Sequence, residues 1–121
     1  MRLRILQLKD PEKIRRYGYM PYDYAAEHGF DLGDYECVWE ESADSDTSLD
    51  DIWSRFQHGG EDCPEDYEGR SMSEGDIIDL DGYLFYCEPV GWKELKKIKK
   101  SVRAVTATRY NNDIDKRGNL K

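Results

Sequence analysis

Between Tyr17 and Trp92 the sequence has almost no positive charge: Arg55 and Arg70 stand against twenty-one carboxylates. The shortage is local. Residues 1–16 carry +4 and residues 93–121 carry +7, so the overall −8 hides an acidic body of −19 between two basic ends. Such a field bears on association and partner choice, not on fold. Histidine is almost absent too. His28 and His58 are the whole supply, neither sits in a metal or nucleophile motif, and no glycine-rich phosphate loop is present. The expectation is a protein that is not an enzyme. Cysteines are few and odd in number (Cys37, Cys63, Cys87) with no CxxC pair. That argues against a disulfide scaffold and a zinc site, and leaves reduced thiols as the expectation, with no metal or cofactor. No apolar run approaches the roughly 20 residues that span a bilayer. The run at Met1–Lys9 is too short and too interrupted for a signal peptide, and neither end carries a lipidation motif. A cytoplasmic protein away from membranes is expected.

What is present fits one domain of 121 residues. Hydrophobic residues reach only 38%, but aromatics reach 12%, which disordered chains do not. Leu3 and Ile5 alternate with Arg2 and Arg4, which reads as a strand. The apolar phase slips at Leu6, so a bulge or burial of both faces is expected there. Asp10-Pro11-Glu12 supplies a cap, a first-turn proline and a first-turn acid for a helix to about Arg16. Pro21 to His28 reads as a second short helix stopped by Gly29. Tyr35 to Glu40 has strand composition. Thr47 is positioned to cap a helix with Leu49, Ile52, Trp53 and Phe56 at helical spacing, and Asp50 and Asp51 suit its first turns. Residues 59–66 read as a loop. Asp81-Gly82, between Asp76–Leu80 and Tyr83–Cys87, predicts a hairpin with a type I′ turn. Lys93 to Lys100 suggests a short basic helix, Val102 to Thr108 has strand composition, and residues 111–121 look like a tail.

The expected fold is therefore α+β: a small single domain with a mixed or antiparallel sheet, two or three short helices and a basic C-terminal segment. Residues 1–92 form the acidic body. Residues 93–121 belong to the same domain or form a tail. Leu49, Ile52, Trp53, Phe56, Ile77, Leu80, Tyr83 and Phe85 are expected in one core. Trp39, Trp92 and Tyr35 also read as core rather than as a base-stacking platform, which needs a cationic groove beside it. Ser71, Ser73 and Asp76 read as a turn whose side chains bond nearby backbone N–H groups.

Residues 47–56, residues 64–78, the hairpin and Gly91-Trp92 together resemble the YodL-like domain, and Pro21-Tyr22-Asp23 and residues 35–39 match its upstream part. The resemblance covers about residues 17–92. Arg70 stands where the family usually has histidine, and Gln57-His58-Gly59-Gly60 replaces an asparagine-containing turn. The resemblance implies a setting in mobile elements of Gram-positive bacteria and supplies no catalytic residues.

The acidic body admits two readings. One is simple solvation. The other is docking, in which spaced carboxylates imitate phosphates and occupy a nucleic-acid-binding groove. On the second reading the partner-binding residues are Asp44, Asp46, Asp50, Asp51, Glu61, Asp62, Glu65, Asp66 and Glu68. The basic segment (Lys96, Lys97, Lys99, Lys100, Arg103) either pairs with the acidic body or grips nucleic acid. Three functions follow. The first is binding and inhibition of a host defence protein, such as a basic RNA-guided or restriction nuclease. The second is an interaction module for conjugation or element maintenance. The third is nucleic-acid binding through residues 93–121.

Overall fold

β1 (Arg2–Leu8) is the strand on which the fold is organised. It pairs antiparallel with β2 (Tyr35–Ser42) on one side and β3 (Ile77–Leu80) on the other. A hairpin joins β3 to β4 (Tyr83–Cys87), and β5 (Trp92–Glu94) completes an antiparallel sheet of order β2-β1-β3-β4-β5. The computed structural model describes residues 1–95. No helix among them is long and apolar enough to cross a membrane. The domain is α+β, with three α-helices among the described residues: α1 (Pro11–Tyr17), α2 (Tyr22–Glu27) and α3 (Leu49–Arg55).

The phase slip at Leu6 resolves as burial of both faces. All six residues from Leu3 to Leu8 are buried. The register shifts between Ile5 and Leu6 because Val38 of β2 is an extra residue opposite them. Leu3, Ile5 and Gln7 thus share one face with Ile78 and Leu80, while Leu6 and Leu8 share the other with Ile77, Leu84 and Tyr86.

Each face has its own core, so the single expected core is in fact two. On the first face, Tyr17 of α1 and Ala25 of α2 pack on Leu6, Leu8, Tyr35, Ile77, Leu84 and Tyr86. The second face collects Leu3, Ile5, Ile78, Ile52, Phe56, Tyr67 and Met72. Ile77 lies across the sheet from Ile52 and Phe56, since adjacent residues of a strand point to opposite faces. Two expected core residues are at the surface: Trp53 is 38% exposed and Tyr83 is 43% exposed. A seven-residue helix buries a narrow stripe, which Ile52 and Phe56 fill, and Trp53 falls outside it. Leu49, Leu80, Phe85, Trp39 and Trp92 are half-buried.

Local chemistry accounts for the ends. Asp10 accepts from the Glu12 N–H at 2.9 Å, capping α1. Ser48, not Thr47, caps α3, accepting from the Asp51 N–H at 3.0 Å. Asp81 and Gly82 have φ of 54° and 94°, the left-handed pair that a type I′ turn requires. Lys93 and Glu94 lie in β5 instead of a helix, because Phe85 and Tyr86 offer them a strand edge. The expectations for residues 96–121, including Lys96, Lys97, Lys99, Lys100 and Arg103, lie outside the described residues.

Candidate functional site

The sequence places nine candidate carboxylates between residues 44 and 68. All nine are exposed: Asp44, Asp46, Asp50, Asp51, Glu61, Asp62, Glu65, Asp66 and Glu68. They ride on α3, the loop before it and the loop after it, which together cover the second face of the sheet. Among the described residues none of the nine enters an ion pair. Arg55, the basic residue of α3, is committed to Glu41 of β2 through bonds of 2.6 and 3.0 Å. Burial alone would raise the Glu41 carboxyl. The bonds from Arg55 and from the Trp39 indole outweigh it and hold the carboxyl below its ordinary value.

The loop from Gln57 to Asp76 contains no regular element, so its backbone groups need other partners. Side chains supply them. Gln57 Nε2 donates to the carbonyls of Trp53 and Met72 at 2.9 and 3.0 Å. The His58 N–H donates to Ser71 Oγ at 2.8 Å, and His58 Nε2 lies 2.6 Å from the Gly69 carbonyl. A Cβ at Gly69 would meet Tyr67 Oη at 2.6 Å and Val38 Cγ2 at 2.8 Å, so the packing admits glycine alone.

The deepest attachment is Gln7, a fully buried amide on the apolar second face of β1. Its Nε2 donates to the Arg70 carbonyl (2.9 Å) and to Asp76 Oδ2 (3.0 Å), and its Oε1 accepts from the Arg70 N–H (3.0 Å). Asp76 Oδ2 also accepts from the Ser73 N–H at 2.9 Å, the side-chain-to-backbone turn the sequence suggests. Arg70 Nη1 reaches the Leu8 carbonyl at 2.8 Å, with Nη2 3.9 Å from Asp76 Oδ1. Burial pushes the Asp76 carboxyl up to about 7, against the pull of Ser73, Gln7 and Arg70. Asp79 is raised to about 6, also by burial, against the Gly82 N–H and Arg4. Burial pushes the Cys87 thiol up to about 12.

This network holds the loop that carries five of the nine carboxylates. The family model of the YodL-like domain matches residues 2–98. The chain belongs to the YodL-like domain family. The match is wider than the resemblance read over residues 17–92, and takes in β1 and β5, so every described element of this YodL-like domain lies within it. No curated protein and no solved structure matches the chain.

The three thiols are apart in the fold. Cys37 packs on the first core, Cys63 packs on the second, and Cys87 is buried in β4. Among the described residues no three His, Cys, Asp or Glu side chains gather as a metal-binding group. Sequence reasoning missed Gln7. Its signal was a polar residue between two leucines of a strand, in phase with Leu3 and Ile5. Exposure of Trp53 and Tyr83 was missed as well.

Proposed function

We propose that the protein acts by binding, without catalysis, and that its exposed carboxylate layer docks on a cationic surface of a partner protein. The partner that best suits this chemistry is a nuclease whose groove of lysines and arginines otherwise takes nucleic acid. The protein then inhibits it, as an anti-restriction or anti-CRISPR factor does. The observation that carries the reading is that all nine carboxylates from residues 44 to 68 are exposed on one layer, with none in an ion pair among the described residues. The stitched loop adds to it, since backbone that is already held in place loses little freedom on binding.

The experiment is inhibition of host RNA-guided and restriction nucleases by the protein, compared with the variant in which Glu61, Asp62, Glu65 and Asp66 are all replaced by lysine. Circular dichroism checks that the variant is folded. Loss of inhibition, with a wild-type association rate that falls as salt rises, supports the reading. A folded, fully potent variant reduces the layer to a solvated surface.

A further inference from the structure

We propose that the strip of aromatic side chains beside α3, made by Trp53, Trp92, Phe85 and Tyr83, is a docking surface for arginine side chains of a protein partner. This rests on the acidic-docking reading and says where its anchor lies. Tyr83 and Phe85 point to the second face of the sheet, because their neighbours Leu84 and Tyr86 point to the first. Tyr83 is the cross-strand partner of Leu80, and Trp92 that of Cys87, so the strip runs the length of β4 onto β5. Trp92 Nε1 donates to Asp50 Oδ1 at 3.0 Å, which sets the indole against the flank of α3. Trp53 follows Asp50 by three residues, one turn along the same flank. α3 covers Ile78 but leaves Phe85 half-buried, and Tyr83 and Trp53 are 43% and 38% exposed.

The charge around the strip selects its occupant. Asp50 and Asp51 stand on α3, Asp81 in the hairpin turn, and Glu94 opposite Phe85 on the same face, all exposed. Lys93 is turned to the first face, its Nζ 5.7 Å from the centre of the Tyr22 ring. A carboxylate rim repels phosphates, which disfavours a nucleic acid stacking on the rings. It also repels a second copy of the same rim. An arginine satisfies both parts of the strip: its guanidinium plane stacks on Trp or Tyr faces while its N–H groups bond carboxylates. Lysine can do only the second as well, because its compact ammonium is more strongly hydrated.

The test uses the full chain and two twelve-residue probe peptides of equal charge, one alternating arginine with glycine and one alternating lysine with glycine. Tryptophan fluorescence follows the titration. The expected result is a several-fold preference for the arginine peptide. That preference falls toward unity in Trp53→Ala and in Tyr83→Ala, and survives in Trp53→Tyr, with circular dichroism unchanged. Neutralising Glu61, Asp62, Glu65 and Asp66 weakens both peptides in proportion and leaves the preference. Equal affinities in the wild-type chain overturn the strip while a salt-dependent common affinity leaves acidic docking standing. A preference that both alanine variants keep also overturns it. So does a dimer, or an oligonucleotide complex, that Trp53→Ala abolishes.

Discussion

The two faces of the sheet are closed in different ways. On the first, rings interlock: Tyr22 lies 5.2 Å from Phe30 and 5.3 Å from Tyr86, and Phe30 lies 5.7 Å from Tyr35. Their hydroxyls are spent on the backbone, Tyr35 on the Gly75 carbonyl and Tyr86 on that of Met20, each at 2.7 Å. On the second, α3 and a long loop close the face, with Phe56 5.0 Å from Tyr67, and a buried amide supplies what packing does not. The first face spends its buried rings on one another and on the backbone. The second face, closed by a loop, keeps exposed carboxylates and partly exposed rings, and the loop must be held by polar bonds.

The largest expected effect tests whether the first face is a packed core. Tyr86→Ala should cost on the order of 3–5 kcal/mol, since it empties the centre of the ring cluster and frees a buried carbonyl partner. A denaturation midpoint within experimental scatter of the wild type would break the comparison. On the second face, Gln7→Leu leaves the Arg70 backbone and the Asp76 carboxylate short of partners. The expected loss is about 1–3 kcal/mol. Hydrogen exchange should localise it, with faster exchange in the loop of residues 57–76 and α1 unchanged. Equal acceleration on both faces would show that the loop and the rings unfold as one unit.

The next test is in pH. Asp76 and Asp79 titrate at about 7 and about 6 in the fold, above the ordinary carboxylate value of 3.8. Raised pKa values mean that the protonated forms favour the fold. Their contribution is complete below about pH 4 and is lost as pH rises through 6 to 7. Denaturant midpoints should therefore carry a falling component over that window, which Asp76→Asn and Asp79→Asn each reduce. An unchanged slope in both variants would place the titration elsewhere. The smallest effect is at the surface: Trp53→Ala should move stability by less than about 1 kcal/mol, whereas Ile52→Ala, one residue away, should cost roughly 2–5 kcal/mol.

The Trp53 and Ile52 pair also marks how far the sequence can be read. Caps, the hairpin turn and the strand alternation are local, and Asp10, Gly82 and Leu3 announce them within a few residues. The exposed state of the nine carboxylates follows from charge alone. What sequence spacing cannot convey is how wide a stripe α3 buries, which depends on where a short helix meets the sheet. Trp53 satisfied helical spacing and still lies outside the contact. Gln7 is legible only after Arg70 and Asp76, more than sixty residues away, are brought beside it. Both errors concern the second face, where tertiary contacts decide and local propensity does not.

The position of β1 between β2 and β3 also sets an order of events as the chain is made. Residues 2–8 leave the ribosome before either neighbour. β2 offers a partner some thirty residues later, but β3 begins only at Ile77. Until then Leu3 and Ile5 on one side, and Leu6 and Leu8 on the other, have no finished sheet to shelter in. Long-range pairing of this kind makes folding slow and exposes apolar strands meanwhile. The β3–β4 hairpin, tight and local, is therefore expected to be the piece whose emergence commits the nascent chain, so that lesions in the Asp81-Gly82 turn lower soluble yield more than they lower the stability of whatever protein is recovered.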